Sequence, residues 1–145
     1  MAITQTDGQF NTGRDCTVVL IGPFGRVDLQ NVTGFEANQI TASIKVDRLD
    51  GKQMHAEPPK GWEGSIEIER GNDALDTLMA QIESAWMDAG VYANATMFQY
   101  ISEAGGAYTT YAYDNVALKL NAGQWRPDAS VKQTLTFTAN RRRKL

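Results

Sequence analysis

Few side chains in this sequence have the chemistry of a catalytic centre. His55 is the only histidine and Cys16 the only cysteine among the 145 residues. A serine or cysteine nucleophile needs a base held beside it, and the single imidazole stands in an irregular segment next to Pro58 and Pro59. Cys16 opens an apolar strand pattern, which indicates a small inert core residue. Neither residue predicts catalysis, and together they cannot supply a structural zinc site.

Glu63, Glu67 and Glu69 alternate along one short stretch, as carboxylates for acid–base work or for a divalent cation would. Residues two apart on a strand lie ~6.5 Å from each other, which is too far for a compact cage without a second segment. The sequence also lacks a glycine-rich phosphate loop with its lysine. We therefore expect a solvated acidic face, no enzyme activity, no metal and no cofactor.

Four tyrosines on adjacent predicted strands have the chemistry of stacking platforms for single-stranded nucleic acid. They are Tyr100, Tyr108, Tyr111 and Tyr113. Such platforms are interleaved with basic residues, and the sequence has none between Arg70 and Lys119. Alternating tyrosines also cover core edges and subunit interfaces. A single-stranded nucleic-acid-binding β-barrel module therefore remains the alternative function.

Charge is divided between an acidic body and a basic end. Four of the fourteen basic residues form the tail Arg141, Arg142, Arg143 and Lys144, and the rest of the chain has ten basic against seventeen acidic residues, or −7. A body of that charge repels phosphate, whose attraction supplies most non-specific nucleic-acid affinity. Acidic protein surface, solvent and nucleic acid are the three possible surroundings of the tail, and we favour a subunit contact.

Composition predicts one globular domain over residues 1–145, with 42% hydrophobic and 21% charged residues. No apolar run approaches the ~18 residues of a membrane span, so we expect no membrane partner. The first residues have neither a basic nor an apolar region of a secretion signal. We expect a soluble protein that is assembled in the cytosol.

Periodicity predicts a mainly β fold, a β-sandwich or barrel with one flanking α-helix. The helix spans 72–90, with an apolar stripe from Leu75 to Trp86 and an acidic polar face of Asp73, Asp76, Glu83 and Asp88. That face is either a partner-binding surface or a solvated one. The predicted strands cover 16–22, 26–32, 40–47, 62–70, 96–102, 107–121 and 129–140, and the basic tail extends the last strand.

An extended loop is predicted at 50–61, because it is longer than a hairpin turn and its two prolines cannot donate to a strand ladder. A functional loop and a floppy surface loop fit this segment equally well. Its residues are Asp50, Gly51, Lys52, Gln53, Met54, His55, Ala56, Glu57, Pro58, Pro59, Lys60 and Gly61.

The order of these elements resembles a known family. A hairpin, a half-wet strand, a long loop and then "KGWEGSIEIERGNDALDTLMAQIE" from strand to helix resemble the tail tube proteins of contractile bacteriophages. Those are similar to the tube proteins of R-type pyocins and of type VI secretion. The resemblance is most specific from Gly61 to Glu83. Related baseplate and tail-terminator ring proteins share the fold and remain alternatives.

The resemblance implies a structural virion protein whose six-fold rings stack into a hollow tube that conducts DNA during infection. In such a tube, neighbouring sheets join into one barrel around the lumen, the segment 50–61 reaches the next ring, and helix 72–90 faces the sheath. The implied partners are other copies of the chain, the sheath protein, baseplate and terminator proteins, and DNA in the lumen. The implied location is the virion tail, assembled in the host bacterial cytoplasm. The lumen-facing candidates are Thr41, Ser43, Lys45, Asp47, Glu63, Ser65, Glu67 and Glu69, with Lys45 offset by a glutamate on the neighbouring strand.

Overall fold

The computed structural model describes residues 11–27, 29 and 31–145. The predicted strand at 26–32 therefore falls partly outside the described residues. In this part of the chain, a short 3-10 turn at Gly13–Asp15 is followed by antiparallel strands and one α-helix. The helix α1 spans Ala74–Ala89, and the strands are β1 Cys16–Gly22, β2 Gly25–Val27, β3 Val32–Thr41, β4 Ile44–Asp47, β5 Gln53–Ala56, β6 Pro59–Glu69, β7 Ala95–Ser102, β8 Tyr108–Asn121, β9 Lys132–Ala139 and β10 Arg141–Lys144.

Eight of the strands form one antiparallel sheet in the order β2-β1-β7-β8-β9-β6-β3, with β10 paired to β8. The long strand β8 holds this sheet together. Its residues 108–116 pair with β7 and its residues 117–121 pair with β9. The remaining strands, β4 and β5, pair only with each other among the described residues.

The sheet curls over its own apolar face. Phe35 on β3 and Tyr113 on β8 are three strand positions apart, a distance of about 14 Å in a flat sheet. Their ring centroids are only 6.3 Å apart, and Phe35 stacks on Phe137 at 5.7 Å. The predicted mainly β fold with one flanking helix is confirmed. Strands β2 and β3 stand at the two ends of the sheet, which the described strands leave open.

One core lies inside the curl. Its fully buried side chains come from five strands of the sheet, and α1 adds Leu75, Leu78 and Ile82. Each large apolar side chain buried here stabilises the fold by about 1.5–3 kcal/mol. The largest fully buried residues are Leu20, Ile66, Met97, Tyr113, Val116, Leu135 and Phe137.

Helix α1 begins and ends near the predicted residues. The side-chain oxygen of Asn72 accepts a hydrogen bond from the Ala74 amide at 3.1 Å, and Gly90 ends the helix in the left-handed conformation at φ 68°. The helix packs closely on β1, because a β-carbon on Gly22 would lie 2.6 Å from the Leu78 side chain. The predicted apolar stripe is wrong at its end. Trp86 is 55% exposed, because the last turn of the helix extends beyond the core.

The predicted strand 40–47 is interrupted at Ala42 and Ser43 and its second part is exposed, and the predicted loop 50–61 contains β5 and the start of β6. Strand β3 begins at Val32 and ends at Thr41, and β4 pairs instead with β5 in a hairpin whose four-residue strands are all exposed. A turn closes the hairpin, with the Arg48 amide bonded to the Lys52 carbonyl at 2.8 Å. We call residues 44–56 the arm. Pro59 opens β6, and the first residue of a strand tolerates proline.

The basic tail is a strand, as predicted. After β9 the chain bends at Asn140, whose amide donates to the Asp114 carbonyl at 3.0 Å. Strand β10 then pairs antiparallel with residues 111–114 of β8. The Leu145 amide donates to the Thr110 carbonyl at 2.9 Å, so the pairing extends to the last residue of the sequence.

Candidate assembly surfaces

The outer face of β3, β6, β9 and β8 is a continuous polar surface, which we call the wet face. Strand register places its residues in rows across the four strands. Three carboxylates stand on it, and threonines line β9 beside them. The rows are Asn38–Glu63–Thr138–Ala117, Glu36–Ser65–Thr136–Lys119 and Gly34–Glu67–Thr134–Asn121.

The wet face contains three of the predicted lumen residues. Glu63 and Glu67 are exposed, and Ser65 between them is half-buried. Glu69, also half-buried, lies opposite Lys132 at the end of β6. One lysine, Lys119, stands within the three rows of this acidic and threonine-rich surface. A surface of this composition repels phosphate.

The other four predicted lumen residues lie at or on the arm. The hydroxyls of Thr41 and Ser43 each donate to the Glu57 carboxylate at 2.7 Å, where the arm leaves the sheet. These hydrogen bonds, Thr41 first and then Ser43, lower the pKa of Glu57 below its ordinary value. Lys45 pairs with His55 across the arm and Asp47 pairs with Gln53. The prediction of a glutamate beside Lys45 is therefore wrong.

The arm has one apolar and one polar face. Strand alternation and register put Ile44, Val46, Met54 and Ala56 on one side, and Lys45, Asp47, Gln53 and His55 on the other. The apolar side is open to solvent, with Val46 50% and Met54 55% exposed. Leu49 at the tip is fully exposed. Sequence periodicity detected this alternation but assigned its apolar face to the core.

One of the four acidic residues predicted on the polar face of α1, Asp76, forms an ion pair with Arg70. Arg70 donates to the Asp76 carboxylate through Nε at 3.1 Å and Nη2 at 2.9 Å. Its guanidinium also lies 5.3 Å from the ring centre of Trp125. Asp73, Glu83 and Asp88 are exposed. Arg70 precedes the helix, so a reading of the helical residues alone could not detect this partner.

An apolar recess of about 630 Å³ lies beside the last turns of α1, and we call it the α1 groove. Trp86 and Tyr92 form one wall, with ring centroids 6.4 Å apart in an edge-to-face arrangement. The Tyr92 hydroxyl accepts a hydrogen bond from the Leu118 amide at 3.4 Å. The sequence reading missed this surface, although Trp86 at the end of the stripe was a signal for it. The groove is lined by Met79, Ile82, Glu83, Trp86, Tyr92 and Leu120.

Two residues of the basic tail have partners within their own chain. The Arg142 guanidinium lies between two rings, 3.8 Å from the centre of Trp62 and 3.9 Å from that of Tyr111. Arg143 donates twice to the Asp114 carboxylate, at 2.7 and 3.1 Å, and this carboxylate raises the pKa of Arg143. Arg141 and Lys144 are exposed.

The four tyrosines do not form one stacking surface. Tyr113 is fully buried, and its hydroxyl lies 2.9 Å from the Gln99 side-chain oxygen. Burial is the main cause that raises the pKa of Tyr113. Tyr111 is covered by Arg142, a basic residue from outside the stretch between Arg70 and Lys119. Tyr108 is the exposed one, and Tyr100 is half-buried against Phe98.

Cys16 and His55 lie in different parts of the molecule. Cys16 is half-buried beside Gln99, at the side of a cleft of about 960 Å³ between β1 and β3, while His55 stands on the exposed arm. Within residues 11–27, 29 and 31–145, no three His, Cys, Asp or Glu side chains come together as metal ligands. In the same part of the chain, no helix is both long and apolar enough to cross a membrane.

Comparison with known proteins finds similarity in structure. No protein-family model and no curated protein sequence matches the chain. A chain in the structure of the anti-feeding prophage tube-terminating cap aligns with a TM-score of 0.62 and 14% identity, covering 100% of this chain and 99% of that one.

Two further structures contain similar chains. One is the extended sheath–tube complex of the PVC extracellular contractile injection system, with a TM-score of 0.58, 11% identity and coverage of 88% and 87% of the two chains. The other is the SPP1 tail tube, with a TM-score of 0.59, 9% identity and coverage of 92% and 77%. The chain therefore has the phage tail tube-like fold.

Proposed function

We propose that this chain is a structural subunit of a tail tube, in a contractile phage or a phage-like particle. Six copies form a ring, and the rings stack into a hollow conduit that delivers DNA during infection. The observation that carries this proposal is the wet face, a four-strand polar surface on a fold shared with tube and tube-end proteins.

Open sheet edges support assembly into rings. Strand β3 is ten residues long and has a partner on one side only among the described strands. An unpaired edge of this length is a site for pairing with another chain, and closure of a ring removes it. Copies joined in this way bring their wet faces together around one lumen. Glu63, Ser65 and Glu67 then face the conduit, which lets DNA slide because its phosphates find few cations.

The other surfaces have roles outside the lumen in this proposal. The arm, which includes most of residues 50–61, reaches the neighbouring ring. The acidic residues Asp73, Glu83 and Asp88 on α1 offer a salt-sensitive contact to a basic patch of a sheath protein. Arg141 and Lys144 remain exposed for a contact between subunits. Baseplate and terminator proteins bind the two ends of the tube, the particle assembles in the host bacterial cytoplasm, and the chain has no catalytic role.

A tube-end ring protein is the second candidate. The similarity to the tube-terminating cap covers the whole chain, so the fold is equally compatible with a ring that ends a tube. The two functions differ in their assembly. A tube subunit stacks on itself without limit, whereas a terminator or baseplate ring forms single rings that bind a tube made of another protein.

Negative-stain electron microscopy of the concentrated purified protein tests the proposal. We expect rods built of six-fold rings. Single rings that do not stack would favour the tube-end function, and a strictly monomeric protein would exclude both. A matched variant in which a Gly-Gly turn replaces residues 44–56 should form rings without rods. Its melting temperature should stay close to that of the wild type, because β4 and β5 are exposed and pair only with each other among the described strands.

A further inference from the structure

The described residues leave two apolar surfaces uncovered, and the first is the arm. Ile44, Val46 and Met54 share one face of this hairpin and are 48%, 50% and 55% exposed. A two-stranded hairpin that stands in water by itself is marginally stable. Apolar residues clustered on one face of such an element mark a contact surface.

The second uncovered surface is the α1 groove. Its wall residues Trp86 and Tyr92 are 55% and 44% exposed, and Met79 and Leu120 also line it. A recess of about 630 Å³ with aromatic walls can admit several aliphatic side chains. Aromatic residues in such recesses are frequent energetic centres of protein interfaces.

The two surfaces lie towards opposite ends of the same strands. The arm leaves the sheet where Thr41 pairs with Pro59, at the start of β6. The groove contains Leu120, which pairs with Leu135 and through it lies level with Ile66, near the end of β6 that leads into α1. A head-to-tail stack of copies therefore brings the arm of one chain towards the groove of the next. Contacts between two different patches repeat without closing, as a tube of stacked rings requires.

Charge at the two surfaces is complementary. Glu83 is an exposed member of the groove lining. The turn of the arm carries Arg48 and Lys52, and Arg48 is already paired with Asp50 at 3.4 Å. Lys52 therefore provides the cation for Glu83. This contact takes Glu83 from the acidic face of α1, so that Asp73 and Asp88 remain exposed for a purely electrostatic contact.

We propose that the apolar face of the arm docks into the α1 groove of a second copy in the neighbouring ring. This inference rests on the proposed stacking of rings and identifies the surface that receives the arm. Val46 and Met54 enter the recess between Trp86 and Leu120. The polar face of the arm, with Lys45 and His55, stays in water.

A charge-exchange experiment tests the contact. Val46→Glu places a carboxylate on the arm, and Met79→Lys places an ammonium in the groove. Each change alone should shorten the rods seen by negative-stain microscopy at least tenfold. The double variant should recover at least half of the wild-type rod length, because each new carboxylate then faces a new ammonium on the next copy. Met87→Lys is the matched control, since Met87 follows Trp86, is 74% exposed and does not line the groove.

The outcomes separate the inference from the proposed function. Absence of rings and rods in the wild type would remove the tube function itself. If the wild type forms rods and the single variants form rods of the same length, only the docking is overturned. A double variant that does not recover rod length would also overturn it. A third outcome is a groove variant that forms rods of full length and no longer co-assembles with a purified sheath protein. That result would show that the groove binds the sheath, and it would overturn the inference. Val46 lies on the exposed arm, so its variant remains folded and informative even if Met79→Lys does not fold.

Discussion

Arg142 attaches the last strand to the body of the molecule through two aromatic faces. Its guanidinium lies within 4 Å of the centres of the Trp62 and Tyr111 rings and is half-buried. A cation over an aromatic face contributes ~0.5–1 kcal/mol when exposed and ~2 kcal/mol when desolvated. Arg142→Ala should therefore lower the free energy of unfolding by about 1–2 kcal/mol in urea denaturation.

Arg141→Ala provides the comparison for this measurement. Arg141 belongs to the same strand and carries the same charge, but its side chain is exposed. Its removal should change the unfolding free energy by no more than about 0.5 kcal/mol. Equal losses in the two variants would contradict the aromatic sandwich and attribute the effect to net charge.

Glu57 gives the base of the arm a pH dependence. Its pKa is lowered because the hydroxyls of Thr41 and Ser43 donate to the carboxylate. A group with a lowered folded-state pKa stabilises the fold above its ordinary pKa, and this contribution is lost as the pH falls through the lowered value. NMR titration of the carboxyl carbon should give a pKa below the ordinary glutamate range. Thr41→Ala with Ser43→Ala should return it towards that range, whereas Thr33→Ala should leave it unchanged.

Among the elements, β10 is part of the fold, although its four consecutive basic residues are typical of a solvated tail. It pairs with β8, and it carries the Arg142 sandwich and the Arg143–Asp114 pair. Deletion of residues 141–145 should lower the unfolding free energy by about 2–4 kcal/mol, from one cation–aromatic contact and a few hydrogen bonds. Urea denaturation measures this loss.

A variant that keeps β10 intact distinguishes the loss of the tail's charge from the loss of the strand. Arg141→Ala with Lys144→Ala removes two of the four charges of the tail and leaves both intrachain contacts in place. Its free energy of unfolding should lie within about 0.5 kcal/mol of the wild-type value. If the deletion changes the unfolding free energy as little as this variant does, the tail is a solvated extension.

The elements that the sequence predicted correctly are those whose pattern has a local cause. Helix α1 has a capping residue, a periodic stripe and a terminal glycine, and β6 alternates against one core. Strand β3 was missed over 32–39 because Gly34 and Asn38 interrupt its pattern. The arm alternates as a buried strand does, but none of the described residues covers its apolar face. Partners distant in sequence, such as Arg142 and Trp62, leave no local signal.

At the scale of the whole molecule, acidic and basic groups are separated among its surfaces. The wet face carries Glu36, Glu63 and Glu67, while Arg142 and Arg143 of β10 contact side chains of β6 and β8. This separation explains how a chain with four consecutive basic residues can have an acidic face on its sheet. The expected consequence is weak binding to nucleic acid, despite the basic end of the sequence.

Charge reversal on the wet face tests that consequence. Glu63→Lys with Glu67→Lys changes two exposed positions on one strand face beside Lys119, and creates a basic strip along the threonines of β9. The wild type should not retain a single-stranded oligonucleotide at 50 mM salt, whereas the variant should. Retention should fall by at least tenfold between 50 and 200 mM salt, because each neutralised phosphate releases counterions.

A second variant with the same total charge distinguishes the effect of where the new lysines lie from the effect of net charge. Asp73→Lys with Glu83→Lys places two lysines on the exposed side of α1, where no polar sheet extends the strip. It should retain far less oligonucleotide than the wet-face variant at equal salt. Equal retention by both would show that net charge alone governs binding, and the arrangement of the wet face would then have no special relation to a DNA conduit. Retention by the wild type itself would favour the single-stranded nucleic-acid-binding function over the tube.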